Sequence, residues 1–283
     1  MCPQVSVGLP VYNADQTLSR VLEALLSQSF YDIELIISDN HSTDNTPQIC
    51  NAFAQRDSRI KYFRQERNEG AINNFKHVLD RSTAPYFMWA AADDFWLPTF
   101  IQENWEVLEK RSDIVASISR VKMSSIAHKS SILVNTYPLL ERHYIFRLRS
   151  FLRSLRANSR FYSLYRTNVL KKAFVAEKFM GGMDVTTIVK VLEYGGFYEI
   201  NKTLMERSCY GTSSKLLTEQ FAQYNIKGIE KIFPFWGFTV WLWTTIGCKH
   251  FFYSIDAILK VNLFFSLVVI SEWMSIRKPK VIK

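Results

Sequence analysis

Tyr86-Phe-Met-Trp-Ala-Ala-Ala-Asp-Asp-Phe-Trp-Leu-Pro98 decides how the chain is read. An apolar run of strand length ends on two adjacent carboxylates, Asp93 and Asp94, before a bulky turn and a proline. Carboxylates at the mouth of a buried strand are costly to desolvate and need a partner. In open α/β sheets, ligands sit in the crevice beyond the strand carboxyl ends. A divalent cation held by hard oxygens, with substrate phosphates completing its shell, suits that position. The plainer alternative is that Asp93 and Asp94 cap a helix starting near Pro98. On this stretch alone the two readings stand level.

Upstream, Val5-Ser-Val-Gly-Leu9 reads as a buried strand closed by Pro10-Val-Tyr-Asn13. Leu18, Val21, Leu22, Leu25 and Leu26 then recur at helical spacing. Ile33-Glu-Leu-Ile-Ile37 is a second strand, ending at Ser38-Asp-Asn-His-Ser-Thr-Asp44, and Pro47 sits just inside the next helix. Ile60-Lys-Tyr-Phe63 is a third strand, and a helix through Phe75, Val78 and Leu79 leads to the run before Asp93. Strands alternating with helices through short polar turns predict an α/β fold, with a parallel sheet covered on both faces. The turns at Asn13, Asp39, Asn68 and Asp93 all follow strands, so they gather on one edge.

That edge carries groups suited to a nucleotide. Asp39 could accept hydrogen bonds from a base or a ribose hydroxyl. Gly70 permits close backbone approach, Asn73 or Asn74 offers an amide, and Asp93 with Asp94 could hold a cation against a diphosphate. Each has an ordinary role too, Asp39 and Asp44 as turn or cap residues and Gly70 as a turn glycine. Taken jointly, the four polar strand ends favour a nucleotide site. Neither GxGxxG after a strand nor GxxxxGK[ST] occurs, so dinucleotide and P-loop readings find no support.

With 283 residues the chain has room for one large domain, or one with a smaller appendage. Its 48% hydrophobic and 22% charged content argues against wholesale disorder. A formal net charge of +9 suits nucleic acid, an anionic membrane or a phosphorylated substrate. The carboxylates at Asp39, Asp93 and Asp94 argue against a nucleic-acid groove. Cys2, Cys50, Cys209 and Cys248 are scattered without metal-ligand spacing, which points to a reducing compartment rather than a disulfide framework or zinc site. The N-terminus runs straight into a strand-like segment without a secretory signal, so a cytosolic or cytosol-facing protein is expected.

Val5-Ser-Val-Gly-Leu-Pro-Val-Tyr-Asn13, Ser38-Asp-Asn-His-Ser-Thr-Asp44, Asn68-Glu-Gly70 and Ala91-Ala-Asp-Asp94 with Pro98 together resemble the family 2 glycosyltransferases of GT-A fold. The likeness is strong over about the first hundred residues and looser to Ser214. It implies a Rossmann-like, mostly parallel sheet flanked by helices, with a C-terminal helical appendage. It also implies a nucleotide-diphosphate sugar donor (a UDP-sugar foremost), a divalent metal (Mn2+ or Mg2+) and inversion at the anomeric carbon. Carried over by position, Pro10, Val11, Tyr12, Asn13 and Asp39 would line the nucleoside pocket. Asn68, Gly70 and Asn74 would join them on the donor. Asp93 and Asp94 would stand at the D-x-D site as metal ligands, with Asp93 also touching the donor. Two departures matter: Ala91 replaces the first Asp of that motif, and Asn40-His41 replaces the commoner Asp-Gly.

Further along, Ile114-Val-Ala-Ser-Ile118 reads as another strand. Arg142 to Arg160 carries six arginines interleaved with Phe146, Leu148, Phe151, Leu152 and Leu155. This reads as a basic amphipathic helix, lying either on an anionic membrane or on the core. Asp184 follows Gly182-Met183 and opens a helix, where it could simply be the N-cap; the resemblance implies more, the catalytic base. An inverting transfer needs one base near the acceptor hydroxyl. Arg207 to Ser214 resembles the loop over the donor diphosphate, with Arg207 as its cation.

The tail differs in composition. Phe233 to Ile246 is apolar and tryptophan-rich, Val261 to Met274 is a second apolar run, and Arg277, Lys278, Lys280 and Lys283 close the chain. Each run is shorter than the ~20 residues of a spanning helix. They read as interfacial or re-entrant helices, or as a helical lid or oligomer interface. The expected organisation is a catalytic domain over 1–215, its nucleotide-sugar half about 1–98 and its acceptor half about 99–215, then a tail over 216–283. The expected function is sugar transfer to a polyprenyl-linked or other saccharide, peripherally at the cytoplasmic face of the inner membrane. A nucleotidyltransferase and a non-enzymatic basic membrane-binding module are the rivals. The first would want a glycine-rich phosphate loop, which Pro10-Val-Tyr-Asn13 is not.

Overall fold

The computed structural model describes residues 2–125, 130–134, 137–155, 158–177, 179, 182–208, 216–222 and 224–276. Cys209 to Ser214, Met180-Gly181 and the basic residues from Arg277 onward therefore lie outside the described residues.

The first half follows the hydrophobic pattern. Strand β1 (Val5–Val11) is succeeded by α1 (Leu18–Leu26), β2 (Ile33–Asp39), α2 (Thr46–Arg56), β3 (Ile60–Arg64), α3 (Ala71–Asp80) and β4 (Tyr86–Trp89). These four strands pair in parallel, in the order β3-β2-β1-β4. β2 is buried along its whole length, as a central strand covered on both faces must be. Gly8 on β1 is required by packing: a Cβ there would lie 2.6 Å from the Phe87 ring and 2.8 Å from Val78. Register places Val11, Asp39 and Arg64 side by side at the strand ends, so the predicted polar edge exists as a row.

The second half is mixed rather than parallel. It comprises β5 (Phe95–Trp96), α4 (Phe100–Lys110), β6 (Ile114–Ser125), β7 (Ser130–Val134), α5 (Tyr144–Arg153), β8 (Leu164–Arg166), α6 (Thr167–Ala173), α7 (Gly182–Val191) and β9 (Gly196–Ser208). The sheet continues from β4 as β8-β6-β9-β5, with β8 antiparallel to both neighbours, β6 parallel to β9, and β5 antiparallel to β9. The short strand β5 decides where the site forms, because pairing Phe95 with Glu206 draws the end of β9 against the Asp93-Asp94 turn.

Two apolar layers cover the sheet. α1, α2 and α4 pack on one face around Leu22, Leu25 and Phe100. α3, α5, α6, α7 and the tail pack on the other around Trp89. There Trp89 stacks flat on Phe161 at 4.4 Å, and its indole N–H donates to the Phe75 carbonyl. The stack fixes a 3₁₀ turn over Ser159–Tyr162 beside the Asp93-Asp94 turn.

The single basic helix expected over Arg142–Arg160 is not what forms. α5 ends at Arg153, and its apolar residues Leu148, Phe151 and Leu152 are buried. Arg147 is buried as well, donating to the carbonyls of Leu192, Glu141 and Arg142, and buried Arg160 donates to the Tyr137 carbonyl. Arg149 and Arg153 pair with Asp256 of the tail. Arg147 and Arg160 are thus satisfied inside the protein by the carbonyls that burial demands, while Arg149 and Arg153 are drawn to Asp256 at the surface.

Past α8 (Leu217–Gln220), the tail forms α9 (Trp236–Tyr253) and α10 (Ile255–Ile276), which meet at a 110° bend. No single described helix is long and apolar enough to cross a membrane, although the bent pair taken together is. One side of the pair packs on the core through Phe238, Leu242, Ile258 and Val261. The other side exposes Trp243, Phe252, Leu259, Leu263, Leu267 and Met274.

Candidate active site

The carboxylates at the end of β4 meet a cation brought by β9. Asp94 is 2% exposed at its side chain; one oxygen accepts from the Ser208 N–H at 3.0 Å and the other from Arg207 Nε at 3.3 Å. The Arg207 guanidinium also donates to Ser159 Oγ at 3.2 Å and lies 4.8 Å from the Tyr162 ring centre. Burial opposes the Arg207 charge, but Tyr162 and the carboxylates of Asp94, Asp184 and Asp93 outweigh it and hold the guanidinium charged. Burial, aided by repulsion from Asp93, pushes Asp94 up to about 6 against the pull of Arg207. Asp93 is half-buried, and burial raises its carboxyl too, opposed by its own backbone N–H and by Arg207.

Asp184 joins the cluster from the first turn of α7. Burial pushes it up to about 6, against the Val185 N–H, the Asn158 amide and the Arg207 charge. Asn158 only leans on it, since neither polar atom of that amide has a partner at hydrogen-bond distance. A carboxylate poised just below neutral pH suits proton acceptance at neutral pH. Sequence reasoning singled out Asp93, Asp94, Asp184 and Arg207, and the fold brings all four together. It passed over Tyr162, Ser159 and Asn158. They lie in an arginine-rich segment that reads as surface, and only the aromatic pair Phe161-Tyr162 hinted at burial.

A pocket of about 180 Å³ opens at the ends of β1 and β2, lined by Pro10, Val11, Tyr12, Asn40, Asn68, Ala71, Asn74 and Phe75. It is smaller than the roughly 300–1,000 Å³ of drug-sized sites, so it suits one part of a ligand. Asn68 Oδ1 accepts from Asn40 Nδ2 and from the Gly70 N–H, while Asn40 Oδ1 accepts from the Glu69 N–H. Asn74 donates to the carbonyls of Val11 and Ser38, which leaves its oxygen without a protein partner.

Three candidates stand differently from their expected places. Asp39 is fully buried beneath the pocket: its carboxylate accepts from the Ser42 N–H at 2.9 Å and the Tyr62 hydroxyl at 3.1 Å, with Arg64 Nε 3.6 Å away. Asn13 turns to the neighbouring loop and accepts from the Thr43 N–H. Gly70 has φ +84° and makes a left-handed turn into α3, and a Cβ placed there would meet no protein atom within 4 Å.

For a divalent cation the donor set is thin. Among the described residues no three His, Cys, Asp or Glu side chains converge. Asp94 is already engaged by Arg207 and Ser208, and Ala91 offers no side-chain oxygen. Asp93 is the carboxylate of the pair left for a cation. Mg2+ is commonly held by one or two carboxylates with substrate phosphates supplying the rest, so these residues fit a cation that the donor's diphosphate completes.

Known proteins share this plan. The family model described as Glycosyl transferase family 2 matches residues 6–174. The first curated relatives match over about two fifths of this chain, and the chain spans about two fifths of their length. One relative, the GalNAc(5)-diNAcBac-PP-undecaprenol beta-1,3-glucosyltransferase of Campylobacter jejuni, is 31% identical over 93 residues, covering 32% of this chain and 30% of that protein. Among solved structures, S. aureus TarS 1-349 in complex with UDP-GlcNAc has a TM-score of 0.59 at 16% identity, over 90% of this chain and 79% of that one. The mannosyltransferase PcManGT of Pyrobaculum calidifontis, in complex with GDP-Man and Mn2+, has a TM-score of 0.63 at 13% identity, over 100% of this chain and 77% of that one. The fold is that of the GT-A transferases.

The raised Asp184 carboxyl has a stability signature. Its ordinary value is 3.8 and its folded value about 6, so between these pH values the native state binds the extra proton. Stability therefore falls as pH rises from about 4 to about 6, and the deficit persists above that. Asp184→Asn should melt higher than the wild type at pH 7, by at most about 3 kcal/mol, with the gap closing near pH 4. A variant that melts lower, or a gap independent of pH, would show that Asp184 is stabilised by its charge.

Proposed function

The chain belongs to glycosyl transferase family 2, and we propose that it is an inverting enzyme acting on a nucleotide-diphosphate sugar, a UDP-sugar foremost. The acceptor we infer is a hydroxyl of a lipid-linked saccharide. The observation that carries this reading is Asp184, a carboxylate pushed up to about 6 beside an Arg207 locked onto Asp94. Family membership sets aside the nucleotidyltransferase and binding-module readings.

In this mechanism the base and part of the nucleoside occupy the amide-lined pocket over Val11 and Phe75, and the diphosphate runs toward Asp93 and Arg207. Asp184 takes the proton of the acceptor hydroxyl as that oxygen attacks the anomeric carbon. The bond to the diphosphate oxygen breaks on the opposite face, and the nucleoside diphosphate leaves with the electron pair. Arg207, kept charged by its carboxylate neighbours, faces the charge that develops on the leaving group. Asp93 and the donor's own diphosphate would hold Mg2+ or Mn2+, which when bound supplies further positive charge to that leaving group. PcManGT, described with Mn2+, supports a metal of this kind. Because Asp94 is engaged by Arg207, its part is to hold that arginine as much as any cation.

The acceptor class rests on two supports. One is the Campylobacter relative, whose name includes an undecaprenol-linked saccharide. The other is the apolar outer side of α9 and α10, with Leu263 61% and Leu267 56% exposed, a face suited to the cytoplasmic surface of a membrane.

Melting curves with UDP, GDP, CDP, ADP and dTDP, with and without Mn2+, test the donor. UDP should raise the melting temperature, and Mn2+ should enlarge the shift in the wild type but not in Asp93→Ala. No shift with any of the five would contradict the proposal. In liposome flotation, the double variant Leu263→Asp, Leu267→Asp should stay at the bottom while the wild type floats; equal flotation would contradict membrane docking by this face.

A further inference from the structure

We propose that Tyr224, carried by the segment that follows the catalytic sheet, forms the acceptor side of the transfer site, its ring and phenol seating the sugar whose hydroxyl faces Asp184. This rests on the reading of Asp184 as the base.

The geometry around Gly182 carries the inference. A carbon built onto Gly182 would lie 3.8 Å from Tyr224 Cε1, 3.9 Å from the Tyr224 hydroxyl and 3.9 Å from Asp184 Oδ1. Phenol and carboxylate thus both lie within 4 Å of the same point at the start of α7, which the glycine leaves free of side chain. The Tyr224 ring is half-buried against the core. Burial and the nearby Asp184 charge both keep the phenol protonated, so it is available as a donor. A phenol that donates and a carboxylate that accepts, both within 4 Å of one point, suit a hydroxylated ligand.

Tyr224 is also held in place by groups that have no other evident task. Glu272 on α10 accepts from the N–H groups of Leu217 and Thr218 and from Thr218 Oγ1, each at 2.9 Å. That clamp fixes α8. The Tyr224 N–H then donates to the Gln220 carbonyl, and the Ile226 N–H to the Phe221 carbonyl, while Phe221 and buried Ile226 pack into the core. Glu272 is a positioning residue in this scheme, since it reaches the site only through α8. Aromatic rings stack on the C–H face of sugars, and the phenol adds one directed hydrogen bond. The acceptor side is in this way built by residues beyond the 6–174 region that the family model matches.

The test uses the full chain, a radiolabelled UDP-sugar, and a lipid extract from cells lacking this protein, in which unextended acceptor accumulates. Two rates are measured: release of labelled sugar to water, and transfer to lipid. In Tyr224→Ala, transfer should fall about tenfold or more through a raised KM for the lipid, while release to water and the UDP melting shift stay as in the wild type. Tyr224→Phe, which preserves packing, should lose transfer about threefold, and Glu272→Gln should lose transfer but not release. Tyr224 variants that lose both rates together, or neither, would overturn the proposal. Full activity in Asp184→Asn, or no wild-type transfer to lipid, would instead overturn the reading beneath it.

Discussion

A guanidinium locked among carboxylates, with little water near it, is the constraint on which the rest of the molecule depends. Arg207 and Asp94 are 12% and 2% exposed, so neither can be left without the other. Their contact requires β5 to run beside the end of β9, and that pairing sets the turn holding Asp93. It also requires Tyr162 beneath the guanidinium and Ser159 beside it, which the flat stack of Phe161 on Trp89 enforces from the core. The cost of gathering these charges is visible in Asp94 and Asp184, both pushed up to about 6. Stability is sacrificed where charge is useful, as the trade between stability and activity leads one to expect.

The opposite end of the cleft follows a different logic. At the ends of β1 and β2 the walls are neutral amides and apolar rings rather than charges. Asp39 there serves the fold: with Ser42, Tyr62 and Arg64 it ties the loop after β2 to β3. An uncharged pocket beside a charged cluster matches a ligand that is a flat heterocycle at one end and an anion at the other.

The first half of this plan was legible in the sequence because one signal fixed it. Apolar runs such as Ile33–Ile37 alternate with helix-spaced leucines, and short turns leave no choice but parallel crossovers, so the polar strand ends must share an edge. The later strands lacked that signal. β8 has three residues, and β9, Gly196–Ser208, mixes Glu, Asn and Lys with its apolar positions because only part of it is covered. The arginines of 142–160 misled for a physical reason: charge in a sequence suggests water, but backbone carbonyls can satisfy a buried guanidinium, as they do at Arg147 and Arg160. Asp39 was read as a ligand group since the sequence does not reveal that Tyr62 and Ser42 already occupy it. Tyr224 gave no signal at all, because its meaning comes from a turn more than forty residues after Gly182.

The tail is therefore more than an appendage to the sheet. Its inner side completes the core around Phe238 and Leu242, its acidic residue Asp256 neutralises two arginines of α5, and its far end clamps α8 through Glu272. The measurement that tests the account most directly is the anomeric configuration of the sugar first released to water from an α-linked UDP-sugar, followed by proton NMR before mutarotation. With Asp184 as the one base and no covalent intermediate, the β anomer appears first. Release of the α anomer first would contradict the single displacement and the role given to Asp184.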